Sequence, residues 1–345
     1  MVSIDAPSLG RQADRIAALR PGGAGRGAMV IGAAVLAGVL AILGARWWTA
    51  TGYQPAPAGL PDAGAVTSVG LPVMQFVQRV AGIAVVGLLF LRCLGGLSPV
   101  SADHLAAMTI RWAVAWAAGS AAVMVFTASY LIGVPVSALP TDLGAVVVLL
   151  GSQQLLAQMA TLWPAVLVAL FGRRLSGAVG NASLLVVSAA ALLPGALAGH
   201  AGHHGSPATA MAALGLHVVT AAIWVGGLLA LVVHLRPFPS DLARLLPRFS
   251  TAALICLVAV GISGVAESVL MLDGWNALLT TGRGQLIIVK AAAIALLAAV
   301  GHGHRRFTMG AAAAGRMLPL LRLAGVEITL MAATIGIAVM LSRTG

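Results

Sequence analysis

Residues 209–234 read TAMAALGLHVVTAAIWVGGLLALVVH, twenty-six residues without a single charged side chain. A hydrocarbon core of about 30 Å is crossed by roughly 20 apolar residues in a helix, because lipid offers the backbone no hydrogen-bond partner. The stretch therefore reads as a membrane span. Working outward from it, eight further segments meet the same test, at about 28–46, 72–94, 111–133, 153–171, 180–199, 249–271, 284–301 and 319–341. The expected fold is an all-α, polytopic transmembrane helical bundle of about nine spans, one N-terminal anchor plus an eight-helix core. It divides into an Arg-rich leader (1–27), the anchor with its outer loop (28–70) and a helical membrane domain (71–345).

Composition agrees. Of the 345 residues, 60% are hydrophobic and 8% charged, against about 25% charged in a soluble domain. A soluble fold is excluded on that ground, and so is disorder, which requires polar, charge-rich sequence. Cys93 and Cys256 both lie in apolar runs, so no disulfide framework is implied. The net charge of +11 would suggest nucleic acid in a soluble protein, but here its placement decides. With the N-terminus in the cytoplasm, fifteen arginines fall on inner segments: 11, 15, 20, 26, 92, 111, 173, 174, 236, 244, 248, 305, 306, 316 and 322. Only Arg46, Arg283 and Arg343 fall outside. This bias predicts an N-in/C-out, multi-pass protein of the bacterial plasma (inner) membrane, with no nucleic-acid partner. The leader is long for a cleaved signal peptide, and an uncleaved anchor is expected.

No phosphate loop, H-E-x-x-H or CxxC motif occurs, and the longest loops run to about 20 residues. The chain is accordingly not expected to be an enzyme, and no catalytic residues are assigned. Ionisable groups within spans cost at least ~2.5–3.5 kcal/mol each near the helix centre, so they mark function by default. At 1.5 Å per residue, Arg79 and His217 lie roughly 12 Å below the outer surface, Lys290 roughly 10 Å and Glu267 about 6 Å. Glu327 falls near the midplane. One reading is mutual pairing that only holds helices together. The other is a water-filled outer vestibule, to which Gln75, Gln78, Gln153, Gln154 and Gln158 would add polar walls.

The outer loop Gly199-His200-Ala201-Gly202-His203-His204-Gly205 gathers three of the eight histidines. Short His tracts suit copper, zinc, nickel or iron, and Met74, Met211 and Met271 offer thioethers at the same face. His200, His203, His204 and His217 are the candidate metal ligands; Arg79, Trp224, Glu267, Lys290 and Glu327 are the candidate vestibule residues. His217 and Trp224 are seven residues apart, close to two turns, and share a helix face. Gly226 and Gly227 remove side chains where a neighbouring helix can approach.

At these residues the sequence resembles the copper resistance D (CopD) family of bacterial inner-membrane proteins. The stretches that carry it are Gly199-His200-Ala201, Leu216-His217 through Trp224-Val225-Gly226-Gly227, Arg248-Phe249-Ser250, Gly261 to Gly264, Thr280-Thr281-Gly282-Arg283-Gly284 to Lys290, and Glu327. It extends over roughly residues 150–342. The resemblance implies copper import or homeostasis, Cu(I) or Cu(II) as the ion handled, and a periplasmic CopC-like partner. In some actinobacterial relatives a CopD-like half precedes a CtaG-like cytochrome oxidase assembly half, which makes copper delivery to an oxidase a rival role. A haem-bearing redox protein is the other alternative, with His217 and His234 on one helix and His200, His302 or His304 as second axial ligands. Against it, 17 residues put His217 and His234 nearly 100° apart around the helix.

Overall fold

The computed structural model describes residues 21–49, 61–139, 151–197, 207–271, 276–303 and 318–342. Among them, nine helices are long and apolar enough to cross a membrane. They are α1 (Pro21–Trp48), α2 (Gly64–Cys93), α3 (Pro99–Ile132), α4 (Gln153–Phe171), α5 (Ala178–Ala190, extended by a short turn at Leu193–Leu197), α6 (Pro207–Leu229), α7 (Pro239–Met271), α8 (Gly282–Gly303) and α9 (Leu318–Leu341). The chain is thus an all-α, multi-pass bundle, as composition and span length predict. Several helices exceed the expected spans. α3 begins about three turns before residue 111 and α7 ten residues before 249, because polar first turns continue the helix beyond the apolar window.

α2 is the central helix. It packs against α3, α5 and α6, while α1 lies along α9 and α6 lies along α7. The α2–α6 crossing is close enough that the backbones touch. A Cβ at Gly87 would fall on the Gly226 carbonyl, and one at Gly226 on the carbonyl of Ile83. Association in lipid relies on such close packing of small residues, since apolar side chains gain nothing there by leaving solvent. Gly227, the next residue, seats the ring of Phe249 from α7. Both glycines therefore act as the sequence suggests, each toward a different neighbour. α1 is bound in the same way, with Gly38 seating the Phe76 ring of α2 and Gly336 of α9 meeting the Gly38 carbonyl.

At the end of the bundle carrying Arg92, Arg244 and Arg248, a polar clamp joins α3 to α7. Ser98 caps α3, with Pro99 in its first turn, where a missing N–H costs nothing. The Asp241 carboxylate, 1% exposed, accepts at Oδ2 from Ser98 N (3.1 Å), Ser98 Oγ (2.6 Å) and Ser101 Oγ (2.6 Å). Between α2 and α3 the chain turns through Gly95 (φ 70°) and Gly96 (φ 82°), a left-handed pair that favours glycine. Arg244 donates to the Gly96 carbonyl and Arg248 to those of Leu94 and Gly95. Two of the arginines that orient the chain in sequence therefore also hold an interhelical turn. At the other end, Arg46 of α1 donates to the backbone oxygen and the hydroxyl of Ser68 in α2.

Candidate functional site

Toward the Arg46 end, α2, α6, α7, α8 and α9 surround a cavity of about 190 Å³, large enough for several waters. Its polar lining is sparse: Arg79 from α2, His217 from α6, Glu267 from α7, Lys290 from α8, and Thr334 and Ser342 at α9. The remaining wall is apolar, including Ile83, Leu214, Val218, Trp224, Val260, Leu297 and Ile335. Four ionisable groups from four helices, each singled out by its cost in a membrane, thus converge on one space, and Trp224 joins them. His217 and Trp224 both face it, as their spacing of two turns requires.

The charges act on one another. Lys290 lies within the electrostatic reach of Glu267 and of Arg79, and His217 within that of Lys290. Arg79 Nη2 donates to Ser342 Oγ at 3.4 Å. The Ser342 hydroxyl hydrogen goes to the Val339 carbonyl at 2.8 Å, so its oxygen is free to accept from the guanidinium. One carboxylate and two cations share the cavity, which makes Glu267 the group that offsets the positive field.

The hydrogen bonds around His217 favour one tautomer. His217 Nδ1 lies 3.2 Å from Ser263 Oγ on α7. A serine hydroxyl has one hydrogen, and that of Ser263 is directed to its own helix, to the Ala259 carbonyl at 2.6 Å. With its hydrogen so directed Ser263 accepts, and the proton is assigned to Nδ1. Val260, whose carbonyl also interacts with the ring, is likewise only an acceptor. In the neutral imidazole this leaves Nε2 with an open lone pair, on a ring that lines the cavity. Gly264 makes room for it, since a Cβ there would sit 3.3 Å from His217 Cε1. Histidines that bind metals are commonly oriented in this way, through a hydrogen bond donated by the other nitrogen. Ser263 is not apparent from sequence, because nothing in a helical serine reveals which helix it faces.

Other expected residues lie elsewhere. Glu327 is buried but does not line the cavity. It sits one turn before Met331, the first α9 residue of the lining, and its carboxylate faces Gly301 of α8. Gln75, Gln78 and Gln158 border a separate small chamber, whereas Gln153 and Gln154 are exposed at the start of α4. Met74 and Met211 are not among the cavity residues. His200, His203, His204 and His304 fall outside the described residues, as do the side chains of Met271, Arg283 and His302. Among the described residues, no group of three or more His, Cys, Asp or Glu is placed to hold a metal ion.

His234 belongs to a different cluster. It lies in a π-helical turn, Ala230–Leu235, that continues α6. Its Nε2 accepts from Trp112 Nε1 at 2.9 Å, and its ring lies 6.5 Å from that of His104. An axial haem bond through Nε2 would have to displace Trp112.

Comparison with family models matches residues 243–341 to Copper resistance protein D, CopD. The match takes in most of α7 and all of α8 and α9, three of the five helices around the cavity, and with them Ser263, Glu267, Lys290 and Glu327. It is narrower than the 150–342 suggested by resemblance and leaves out His217 and the Trp224-Val225-Gly226-Gly227 segment. Comparison with curated proteins gave no match, and neither did comparison with solved structures.

Proposed function

We propose that this chain is a copper-handling protein of the bacterial plasma membrane, oriented N-in/C-out, and that the α2/α6–α9 cavity is a station for copper between the outer face and the cytoplasm. One observation carries the reading. The segment similar to CopD supplies Glu267 and Lys290 to the same cavity that His217 enters from outside the match, and Ser263 as the hydrogen-bond partner of the His217 ring. In the proposed sequence of events His200, His203 and His204 capture the ion and His217 receives it through Nε2, the nitrogen Ser263 leaves open.

Glu267 supplies the second oxygen or charge partner. Arg79 and Lys290 hold that carboxylate while no ion is present, since an uncompensated carboxylate in the membrane is costly. Copper entering beside Glu267 competes with the two cations, which limits how long it stays. Glu327, one helical turn before the α9 lining, is the next carboxylate toward the arginine-rich end. A CopC-like protein outside would deliver the ion, and a CtaG-like protein would receive it if the role is oxidase assembly. Transport and delivery use the same ligands.

Radiocopper uptake into sealed vesicles tests the reading, comparing the parent protein with His217→Ala. The expected result is a loss of at least about tenfold, the scale of removing a ligand or its immediate support. Equal uptake by the two would end the assignment of this cavity to copper.

A further inference from the structure

A second chamber, of about 30 Å³, adjoins the large cavity and shares Arg79 and Leu192 with it. Its polar lining comes from Gln75, Gln78, Arg79, Trp116, Gln158 and Thr161. Part of this set is internally satisfied. Gln78 Nε2 donates to Ser120 Oγ (3.0 Å) and to Gln158 Oε1 (2.7 Å), and Thr161 Oγ1 donates to the Ala157 carbonyl. Two buried atoms are not: Gln75 Oε1 and Trp116 Nε1 have no protein partner among the described residues. Trp116 is fully buried, at 0% exposure, so bulk solvent cannot serve it.

One of these atoms accepts and the other donates. Leaving either unsatisfied in a low-dielectric interior costs about 1–3 kcal/mol, and native interiors rarely tolerate two in one place. Water, which both donates and accepts, can serve either atom. The chamber exceeds the roughly 10–15 Å³ that a single water requires and offers the two to four polar partners such a water needs.

We propose that this chamber is a binding site for ordered water that accepts from Trp116 Nε1–H, donates to Gln75 Oε1 and hydrates the Arg79 guanidinium within the membrane. Arginine cannot shed its proton to escape the bilayer, so a built-in hydration site keeps it polar where it meets the large cavity. A halide-sized anion would suit Trp116 and Arg79 but would face the Gln75 carbonyl oxygen, which can only accept.

The test is ¹⁵N-indole NMR of the full chain in detergent micelles, reading the cross-peak between each tryptophan Nε1–H and water. Trp116→Phe assigns the resonance by its loss. Should that variant not fold, Gln75→Leu assigns it instead, as the peak that moves most. Trp112, whose Nε1–H is given to His234, is the dry internal reference. The expected result is a water cross-peak at Trp116, absent at Trp112 and abolished by Gln75→Leu. A Trp116 peak as free of water contact as that of Trp112 would overturn the proposal. So would a Trp116 shift that tracks chloride concentration, which would assign the chamber to an anion.

Discussion

Replacing Ser263 with alanine removes one oxygen atom, the acceptor that holds the proton of His217 on Nδ1. The bond to His217 Nδ1 is 3.2 Å and neutral, so its contribution to stability is about 0.5–1.5 kcal/mol. The Val260 carbonyl, which also interacts with the ring, offsets part of the loss. Unfolding in detergent should therefore shift by no more than roughly a few degrees. The effect on copper should be larger. Without Ser263 the ring is free to turn and to place its proton on Nε2, the nitrogen a metal needs. Loss of such an orienting partner costs about 10–100-fold in metal affinity, or roughly 1.4–2.7 kcal/mol. Cu(I) affinity is measured by competition with a chromophoric chelator in detergent. Ser263→Thr is the control, since its hydroxyl can make the same bond to the preceding turn, and it should bind as the parent does. An alanine variant with parental affinity, beside a His217→Ala variant that has lost it, would refute the tautomer argument while leaving His217 as a ligand.

Other predictions concern the frame around the site. Gly226→Val places a branched side chain against the backbone of α2 and should destabilise the protein by about 1–3 kcal/mol or more, read as a lower melting temperature; an unchanged value would contradict the backbone contact. Asp241→Ala strands the Ser98 N–H and removes two hydroxyl bonds at one buried oxygen, while Ser98 and Ser101 can still bond each other. A loss of roughly 2–4 kcal/mol is expected, and a denaturation midpoint equal to the parent's would show the clamp to be idle. For orientation, single cysteines introduced at Asp62 and Ser176, after replacement of Cys93 and Cys256, should react with an impermeant maleimide from outside at Asp62→Cys only. The opposite pattern would invert the proposed topology.

A bilayer constrains a chain in ways that leave some features plain in the sequence and others hidden. Span number and helix class are visible because each membrane-crossing helix must be apolar over a fixed length. Arg79, His217, Glu267 and Lys290 stand out because each is costly in that setting, and depth alone places them at one level. Their convergence on a single cavity depends on helix order and rotation, which depth does not give. Glu327 illustrates the gap: equally costly in sequence, it lies a turn away from the lining. Ser263, Asp241 and the Trp112–His234 bond leave no sequence signal, since serine and tryptophan are ordinary in such helices and their partners lie 46 to 143 residues away. The helix extensions are hidden for another reason, as hydropathy reports where lipid begins and not where hydrogen bonding ends.

The glycine contact between α2 and α6 has a mechanical side. Where two backbones meet with no side chain between them, there is no compliant layer to shear, and the pair behaves as a single strut. Arg79 and His217 ride on that strut. The opposite wall is built differently: α8 leans mainly on α9 and only slightly on α7. Lys290 therefore stands on the helix that the rest of the cavity wall holds least, facing Arg79 and His217 on the spine that is held most.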